Sequence, residues 1–482
     1  MTEKQIETAL KSNRNLFITG AAGTGKSYLL SKYIENNDNV LVCAPTGIAA
    51  LNIGGETMHK VFHIPVPAYE APSFAKNKKG ALTTTMLKPI IQADTIIIDE
   101  ISMARNDAFS FMIKVIRKAE KIKGSKIRII VCGDFNQLPP VVKKEDIKLM
   151  KKFNFDESGF VFTTQEWKSC NFKVVELKKV KRQNNQEFIN ELNKIRNNDT
   201  SNLNYWKQFV NDNPNYNDSI VICGTNAEAD RINQEYLNSL PGDLKALKSV
   251  KEGRCSSGYI DDIILVKENC KIIFTVNDVI FGKYKNGSFG TLKYINNDSV
   301  TVEVETEKGK QDIFVKPHKY TIYTYNCVNG KLNKKEIGAI VQYPFKVAKA
   351  ITIHKSQGQT FERAIISPEI FASGQLYVAL SRISNPKGLI LLNEITKENV
   401  IVDKNVIKFY KNNFKWEIKK VTKIKTTSTK KKKTKSIINK NKKTNTKQKT
   451  VVKSRAKQNT KNNSKSKVIK KNNTTKKLNK KK

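Results

Sequence analysis

The segment Gly20-Ala21-Ala22-Gly23-Thr24-Gly25-Lys26-Ser27 fits the pattern Gly-x4-Gly-Lys-Ser/Thr. It follows an apolar run, Leu16–Thr19, and precedes a helical pattern, Ser27–Tyr33. That strand-to-helix context is what a phosphate-binding loop requires. Small residues let backbone N–H groups turn inward around a phosphate, and the helix start adds its positive end. Lys26 then reaches the β- and γ-phosphates, and the Ser27 hydroxyl ligates Mg²⁺. Asp99 and Glu100 end the apolar run Ile96-Ile97-Ile98. Carboxylates at the C-terminal edge of a buried parallel strand sit in the crevice where ligands bind. Asp99 is expected to hold Mg²⁺ through water, and Glu100 to orient or deprotonate the attacking water. An acidic pair in that place could equally cap the next helix; its company with the glycine-rich loop favours catalysis. Together these features establish a P-loop nucleoside triphosphatase and no more.

Further segments narrow the class. Gly133-Asp134-Phe135-Asn136-Gln137-Leu138-Pro139-Pro140 follows the apolar run Ile129–Cys132 and places Gln137 to sense a γ-phosphate. Arg182 lies in Leu177–Gln183, and Arg382 ends Gln375–Arg382. Guanidinium groups offered across a cleft stabilise charge in the transition state of phosphoryl transfer. They also make cleft closure depend on the bound nucleotide. Either arginine alone would read as a surface ion pair.

The elements that must position these residues follow from hydrophobic patterning. Short apolar runs at Leu16–Thr19, Val40–Cys43, Thr95–Ile98 and Ile129–Cys132 alternate with helical stretches over the first 165 residues. Runs of that kind suit strands buried on both faces of a parallel sheet. A second alternating stretch begins with a strand near Phe172–Leu177. It continues with a helix near Gln186–Arg196, a strand at Ser219–Cys223 and a helix from Asn226 to Leu240. Between about 255 and 345, short β-rich segments alternate with turns such as Asn286-Gly287, Asn296-Asn297-Asp298 and Asn329-Gly330, which predicts an inserted β-barrel. The α/β pattern resumes from Lys349, and a helix is expected over Lys397–Asn412. The predicted division is therefore an α/β unit over 1–165, a second over 166–254 and 346–416, an insertion over 255–345, and a disordered tail over 417–482.

Charge separates these parts. The 482 residues carry 87 Lys and Arg against 44 Asp and Glu, a net charge of +43 that points to a polyanionic partner. Residues 418–482 hold 27 of the basic residues and no acidic one. Too little there can be buried to offset ordering entropy, and a flexible polycation binds nucleic acid with steep salt dependence. Import signal, DNA tether and solubilising extension stand as its three readings. No apolar run approaches a membrane span, and the N-terminus lacks the apolar core of a secretory signal. The seven cysteines are scattered without a Cys-x-x-Cys pair, which reads as free thiols in a reducing compartment. The expected location is the nucleus or a cytoplasmic site of DNA replication.

The ordered blocks Gly20–Ser27, Ala44–Ala50, Gly55–His59, Asp99–Met103, Gly133–Val141, Thr352–Thr360 and Tyr377–Arg382 resemble the Pif/RecD branch of superfamily 1 (1B) DNA helicases, the Pif subgroup most closely. The resemblance spans about Gln5 to Asn393. It implies two RecA-like domains with ATP between them and an SH3-like insertion in the second. It also implies 5′-to-3′ translocation on single-stranded DNA with duplex opening ahead, at forks and in replication, repair, recombination or telomere maintenance. Gln5 matches the glutamine that reads adenine in that family, and Thr57 and His59 match residues that contact the strand. Pro45, Thr46 and Gly47 lie at the end of the second strand, where a track would run, and Thr225 and Asn226 hold the equivalent place in the second unit. His354 and Lys355 complete the candidate DNA contacts. Residues 64–85, with Pro65, Pro67, Tyr69 and Phe74, are candidates for the family's strand-separating wedge. A monomer on DNA is expected. RNA stays open as a partner, because backbone gripping hardly distinguishes the sugars. A non-unwinding scaffold with a vestigial ATPase and a P-loop kinase for a small acceptor are the competing classes; neither explains Lys26, Asp99, Glu100, Gln137, Arg182 and Arg382 together with the 354–360 block.

Overall fold

Strands β1 (Leu16–Gly20), β2 (Val40–Ala44), β3 (Glu56–Thr57), β4 (Thr95–Ile98), β5 (Arg128–Cys132) and β6 (Lys173–Leu177) form one parallel sheet in the order β3-β2-β4-β5-β1-β6. The structure is a computed structural model that describes residues 3–75, 80–214, 219–255, 260–278, 282–284, 286–306, 309–328 and 331–413. All of these belong to the unit Met1–Glu417. The Asn329-Gly330 turn and the tail at 417–482 lie outside the described residues.

The continuous apolar runs form strands because the sheet is covered on both faces. Phe17, Ile96, Ile98, Ile129 and Val131 point into one core layer, and Leu16, Ile18, Ile97, Ile130 and Cys132 into the other. Each fully buried large apolar side chain contributes roughly 1.5–3 kcal/mol. Parallel pairing puts the C-terminal ends of β4, β5 and β1, three neighbours, on one edge. The glycine-rich loop, Asp99-Glu100 and Gly133–Gln137 all leave the sheet there.

A second parallel sheet runs in the order Ala350–Thr352, β7 (Ile220–Cys223), Ala364–Ile366 and Leu389–Leu391. Helix Gln186–Arg196 packs Phe188, Leu192 and Ile195 into its core. Strand β6, expected to open this second unit, instead pairs with β1 across its whole length, Leu16 opposite Lys173 to Gly20 opposite Leu177. Hydrophobic pattern reports that a strand is buried, not which sheet receives it. The passage between the units therefore falls at residues 178–185, the segment that carries Arg182.

The β-rich region is antiparallel. Strands Gly309–Val315, Val300–Thr306, Phe289–Ile295, Lys271–Phe274 and Phe345–Val347 make a five-stranded sheet around Ile272, Phe274, Leu292, Val302 and Ile313. A two-stranded pair, Lys245–Lys248 with Ile263–Val266, begins ten residues before the expected boundary at 255. Strands His318–Val328 and Lys331–Gln342 form a long arm. The arm reaches the first sheet: the N–H of Val42 donates to Tyr325 Oη at 3.1 Å, and that of Leu332 to Asn39 Oδ1 at 3.1 Å.

Two expectations are corrected. The last helix starts at Lys404 rather than Lys397, ending at Asn413. Val400-Ile401-Val402 is a β-branched run, poorly suited to a helix and outside any helix or strand here, and Asp403 caps the helix by accepting from Asn405 N–H at 2.7 Å. That helix does not finish the second unit; it buries Val406 and Tyr410 in the core of the first. The described part of 64–85 is clamped to the same core. Tyr69 stacks on Phe153 with centroids 5.6 Å apart, and its hydroxyl donates to Asp146 Oδ1 at 2.9 Å. Pro65, Val66 and Pro67 stay exposed at its tip.

Candidate functional site

The loop Gly20–Ser27 joins β1 to helix α1 (Lys26–Glu35), and Gly25 precedes the helix with φ 85°. Gly23 has φ 73°, and a Cβ there would lie 2.5 Å from Arg182 Cβ. Only glycine permits both the backbone angle and that approach. Lys181 N–H donates to Gly23 O at 2.7 Å, so the segment bearing Arg182 is tied to the loop. Lys26 Nζ donates to Gly20 O at 2.9 Å and Ala21 O at 3.2 Å, holding its ammonium over the loop.

Ser27 Oγ donates to Asp99 Oδ2 at 3.1 Å, and Glu100 N–H to Asp99 Oδ1 at 2.9 Å. Burial raises the Asp99 carboxyl above its ordinary range, and burial and then the Asp99 charge raise that of Glu100. A carboxylate with elevated basicity suits a general base. Glu100 has φ 50°, a left-handed conformation costly for a side chain of its size. No group of three or more His, Cys, Asp or Glu among the described residues could hold a metal ion. One hydroxyl and one carboxylate, with phosphate oxygens and water for the remainder, is a donor set that suits Mg²⁺.

The second unit closes this pocket. Arg382 is 2% exposed, with Nε donating to Val378 O at 2.9 Å and Nη2 to Ser381 Oγ at 2.8 Å. Arg182 Nη1 donates to Ser381 O at 3.1 Å. Burial lowers the proton affinity of both guanidiniums, and for Arg382 the neighbouring Arg182 lowers it further; the Glu100 charge acts in the opposite sense on each. Two cations buried side by side are a penalty that an anion between them would cancel. Gln137 is buried beside the same junction, where a Cβ on Gly374 would sit 2.3 Å from Gln137 O. Lys26, Ser27, Asp99, Glu100, Arg182 and Arg382 are thus brought together, and Gln137 lies buried on the loop after β5. Gln5 lies exposed on helix Glu3–Lys11, away from the sheet core.

Other members of this cleft, Tyr377, Gln183 and Gln357, lie in the quoted blocks Tyr377–Arg382, Leu177–Gln183 and Thr352–Thr360 but were not among the expected site residues. Tyr377 Oη accepts from Ala22 N–H at 2.8 Å. Gln183 Nε2 donates to Ser381 O at 3.0 Å and Ile383 O at 2.9 Å. Gln357 Nε2 donates to Glu100 Oε2 at 2.9 Å. Behind the cleft, Arg196 grips the buried Asp134 with Nε at 3.0 Å and Nη2 at 2.7 Å, and Tyr410 Oη donates to Asp134 Oδ1 at 3.0 Å. The signal that could have singled out Tyr377 and Gln357 is their place in the Tyr377–Arg382 and Thr352–Thr360 blocks.

The candidate strand contacts occupy matched places on the two sheets. Thr46 follows β2 and caps helix α2 (Gly47–Asn52), its Oγ1 accepting from Ala49 N–H at 3.3 Å. Thr225 follows β7 and caps helix Asn226–Ser239, its Oγ1 accepting from Glu228 N–H at 3.2 Å. Each hydroxyl used as an acceptor can still donate to a phosphate. Pro45 and Gly47 flank Thr46 at the partly exposed sheet edge, whereas Asn226 and Lys355 are exposed. Thr57 precedes the turn Met58–Val61 without capping it through its side chain. His59 and His354 are partly buried, and burial lowers the proton affinity of both, favouring neutral imidazoles.

Comparison with known proteins places this geometry. A family profile described as PIF1-like helicase matches residues 2–206. The chain is 32% identical over 435 residues to a Campylobacter jejuni protein named ATP-dependent DNA helicase Pif1, covering 82% of this chain and 94% of that one. It is 30% identical to the human ATP-dependent DNA helicase PIF1, over 85% of this chain and 63% of the human one. The crystal structure of Bacteroides sp Pif1 with ADP-AlF4 superposes with a TM-score of 0.76 at 32% identity, covering 85% of this chain and 97% of that one. Pif1 helicase from Candida albicans gives a TM-score of 0.62 at 26% identity, over 86% and 99%.

Proposed function

This chain belongs to the PIF1-like helicases and is an ATP-dependent DNA helicase, and from that premise we propose how its residues divide the work. ATP binds in the cleft with its phosphates on Gly20–Ser27 and Lys26. Gln5 contacts the adenine. Ser27 and Asp99 would hold Mg²⁺, which when bound would supply positive charge beside the phosphates. Glu100 orients and deprotonates the attacking water. Gln137 senses the γ-phosphate. Arg182 and Arg382 stabilise the charge that develops on it.

The observation that carries this reading is the burial of Arg382 and Arg182 against the pocket that holds Glu100 and Lys26. With ATP bound, the phosphates neutralise these two cations and hold the units together. After hydrolysis that attraction weakens and the cleft reopens. Thr46 and Thr225, at equivalent strand ends of the two sheets, grip backbone phosphates alternately. Pro45, Gly47, Thr57, His59, Asn226, His354 and Lys355 line the same path. Each cycle then moves the protein along single-stranded DNA toward the 3′ end.

The two parallel sheets are read as RecA-like domains, and the antiparallel region, from about 245 to 347, as an SH3-like insertion with an arm. The exposed Pro65-Val66-Pro67 tip serves as the wedge. The protein works as a monomer on single-stranded and forked DNA, and the basic tail tethers nucleic acid. Strand displacement on duplexes carrying either a 5′ or a 3′ single-stranded tail tests activity and polarity together. Unwinding of the 5′-tailed duplex alone, and only with ATP, supports the reading. Unwinding of the 3′-tailed duplex alone overturns the polarity, and no unwinding of either with active hydrolysis would leave a scaffold.

A further inference from the structure

The last helix, Lys404–Asn413, sends a polar group into the core of the first unit. Tyr410 is 1% exposed, and its hydroxyl donates to Asp134 Oδ1 at 3.0 Å, accepts from Phe135 N–H at 3.1 Å and lies 3.3 Å from Thr19 Oγ1. Thr19 belongs to β1, just before the phosphate loop. Burial, and then the Asp134 charge, push the Tyr410 hydroxyl far up, so it stays a donor at every working pH. Asp134 is the hub of this network. Its side chain also accepts from Arg196 and from Asn136 N–H at 3.2 Å, and its carbonyl accepts from Gln137 N–H at 2.9 Å. The backbone that carries Gln137 is therefore folded around Asp134 and held from outside by Tyr410, at Asp134 and at Phe135. A buried carboxylate with both oxygens bonded has little freedom to shift.

The same C-terminal segment reaches the other side of the cleft. Ile401 O accepts from Gly374 N–H at 3.0 Å, and Ser373 Oγ accepts from Asp403 N–H at 2.9 Å. Gly374 precedes helix Gln375–Leu380, which runs into Ser381 and Arg382. That turn seats directly on the loop of the first unit. A Cβ on Gly374 would lie 2.3 Å from Gln137 O and 2.8 Å from Asn136 O, and its φ of 76° already calls for glycine. Residues Ile401–Tyr410 thus bond both parts at the place where they meet.

We infer that Tyr410 is a positioning residue for hydrolysis: its hydroxyl fixes the loop Asp134–Gln137, so that Gln137 is held for the γ-phosphate at the point where the turn leading to Arg382 seats on it. A residue near the end of the fold, outside every motif of the site, then sets the geometry of the chemical step without touching the nucleotide. The inference rests on the proposed role of Gln137.

The test is a double-mutant cycle in kcat for ATP hydrolysis by the full chain with saturating single-stranded DNA, using Tyr410→Phe, Gln137→Ala and the two combined. Rates are divided by the sites that a fluorescent ADP titrates, so that unfolded protein does not count. Phenylalanine keeps the ring and removes the hydroxyl. Tyr410→Phe is expected to lower kcat about tenfold, the effect of one good hydrogen bond, with KM for ATP within about threefold of native. In the Gln137→Ala background the same change should lower kcat by less than about twofold, because residues that act through one another do not add. Val406→Ala, a cavity on the same buried face of the helix, is the packing control. It should lower the denaturant midpoint and leave kcat within about threefold of native. A loss of the same size in the Gln137→Ala background overturns the inference. So does native kcat in Tyr410→Phe, and so does a Val406→Ala enzyme as slow as Tyr410→Phe, since helix packing alone would then set the rate. Native kcat in Gln137→Ala removes the role given to Gln137 itself, and the inference falls with that reading.

Discussion

Lys26 is the residue with the least freedom to do anything else. Its ammonium is held over the glycine-rich loop by Gly20 O and Ala21 O. Lys26→Ala is expected to reduce ATP hydrolysis at least about a hundredfold, because ground-state and transition-state charge both lose their nearest cation. Salt-sensitive DNA binding should survive, since none of the candidate strand contacts depends on that side chain. Steady-state hydrolysis and fluorescence anisotropy on the same preparation check both halves; normal strand-stimulated turnover would reject the site. At this scale the sequence was most informative where a function is written in consecutive residues. Gly20–Ser27 and Asp99-Glu100 are of that kind. Gln357 was not legible, because its partner Glu100 is 257 residues away and no spacing rule links the two.

Among elements, the join between the units depends on one buried ion pair. Asp134 lies on the loop after β5 and Arg196 at the end of helix Gln186–Arg196, which packs in the other core. Removing one member strands a buried charge, so Arg196→Ala is expected to cost about 3–5 kcal/mol, readable as a drop in the denaturant midpoint. Burial alone would push the Asp134 carboxyl up, but the Arg196 guanidinium more than offsets this and holds it below the ordinary carboxylate range. The sign follows: a depressed folded-state value gives stability that is present above the unfolded value, near pH ~4, and lost as pH falls through the folded value. Native protein should therefore lose part of its stability in acid, and Asp134→Asn should show a flatter acid limb in pH-dependent unfolding. An identical limb would reject the linkage. Helix Gln186–Arg196 was expected near its observed place because its apolar period is clean, and in the structure Asn185 caps it. Its ionic partner was not, since Asp134 lies 62 residues away and no spacing rule links the two. Strand β6 and the final helix were recognised as elements but not as parts of the first sheet and core. Local pattern carries no address, and Tyr410 meets Asp134 across 276 residues.

For the whole molecule, charge is the property read most directly from the sequence. Residues 418–482 hold 27 Lys and Arg with no Asp or Glu, whereas the described fold ends at Asn413. Truncation after Lys415 keeps Tyr410 and its contacts. It is expected to weaken single-strand binding and to flatten the slope of log affinity against log salt, while DNA-saturated hydrolysis is largely kept. Unchanged affinity and slope would exclude a tethering role. The two α/β units and the β-rich insertion within the second were visible as changes of hydrophobic period. The arm that carries Tyr325 onto β2 was not, because alternating strands report neither their length nor their reach.

The central claim is that a cation delivered by the second unit completes an ATP site built on the first. The most direct test is kcat for ATP hydrolysis by Arg382→Ala with saturating single-stranded DNA. The account predicts a fall of about a thousandfold or more, as for other arginines that stabilise a transferring phosphoryl group, with ATP binding retained. Turnover within a few-fold of the native rate would contradict it.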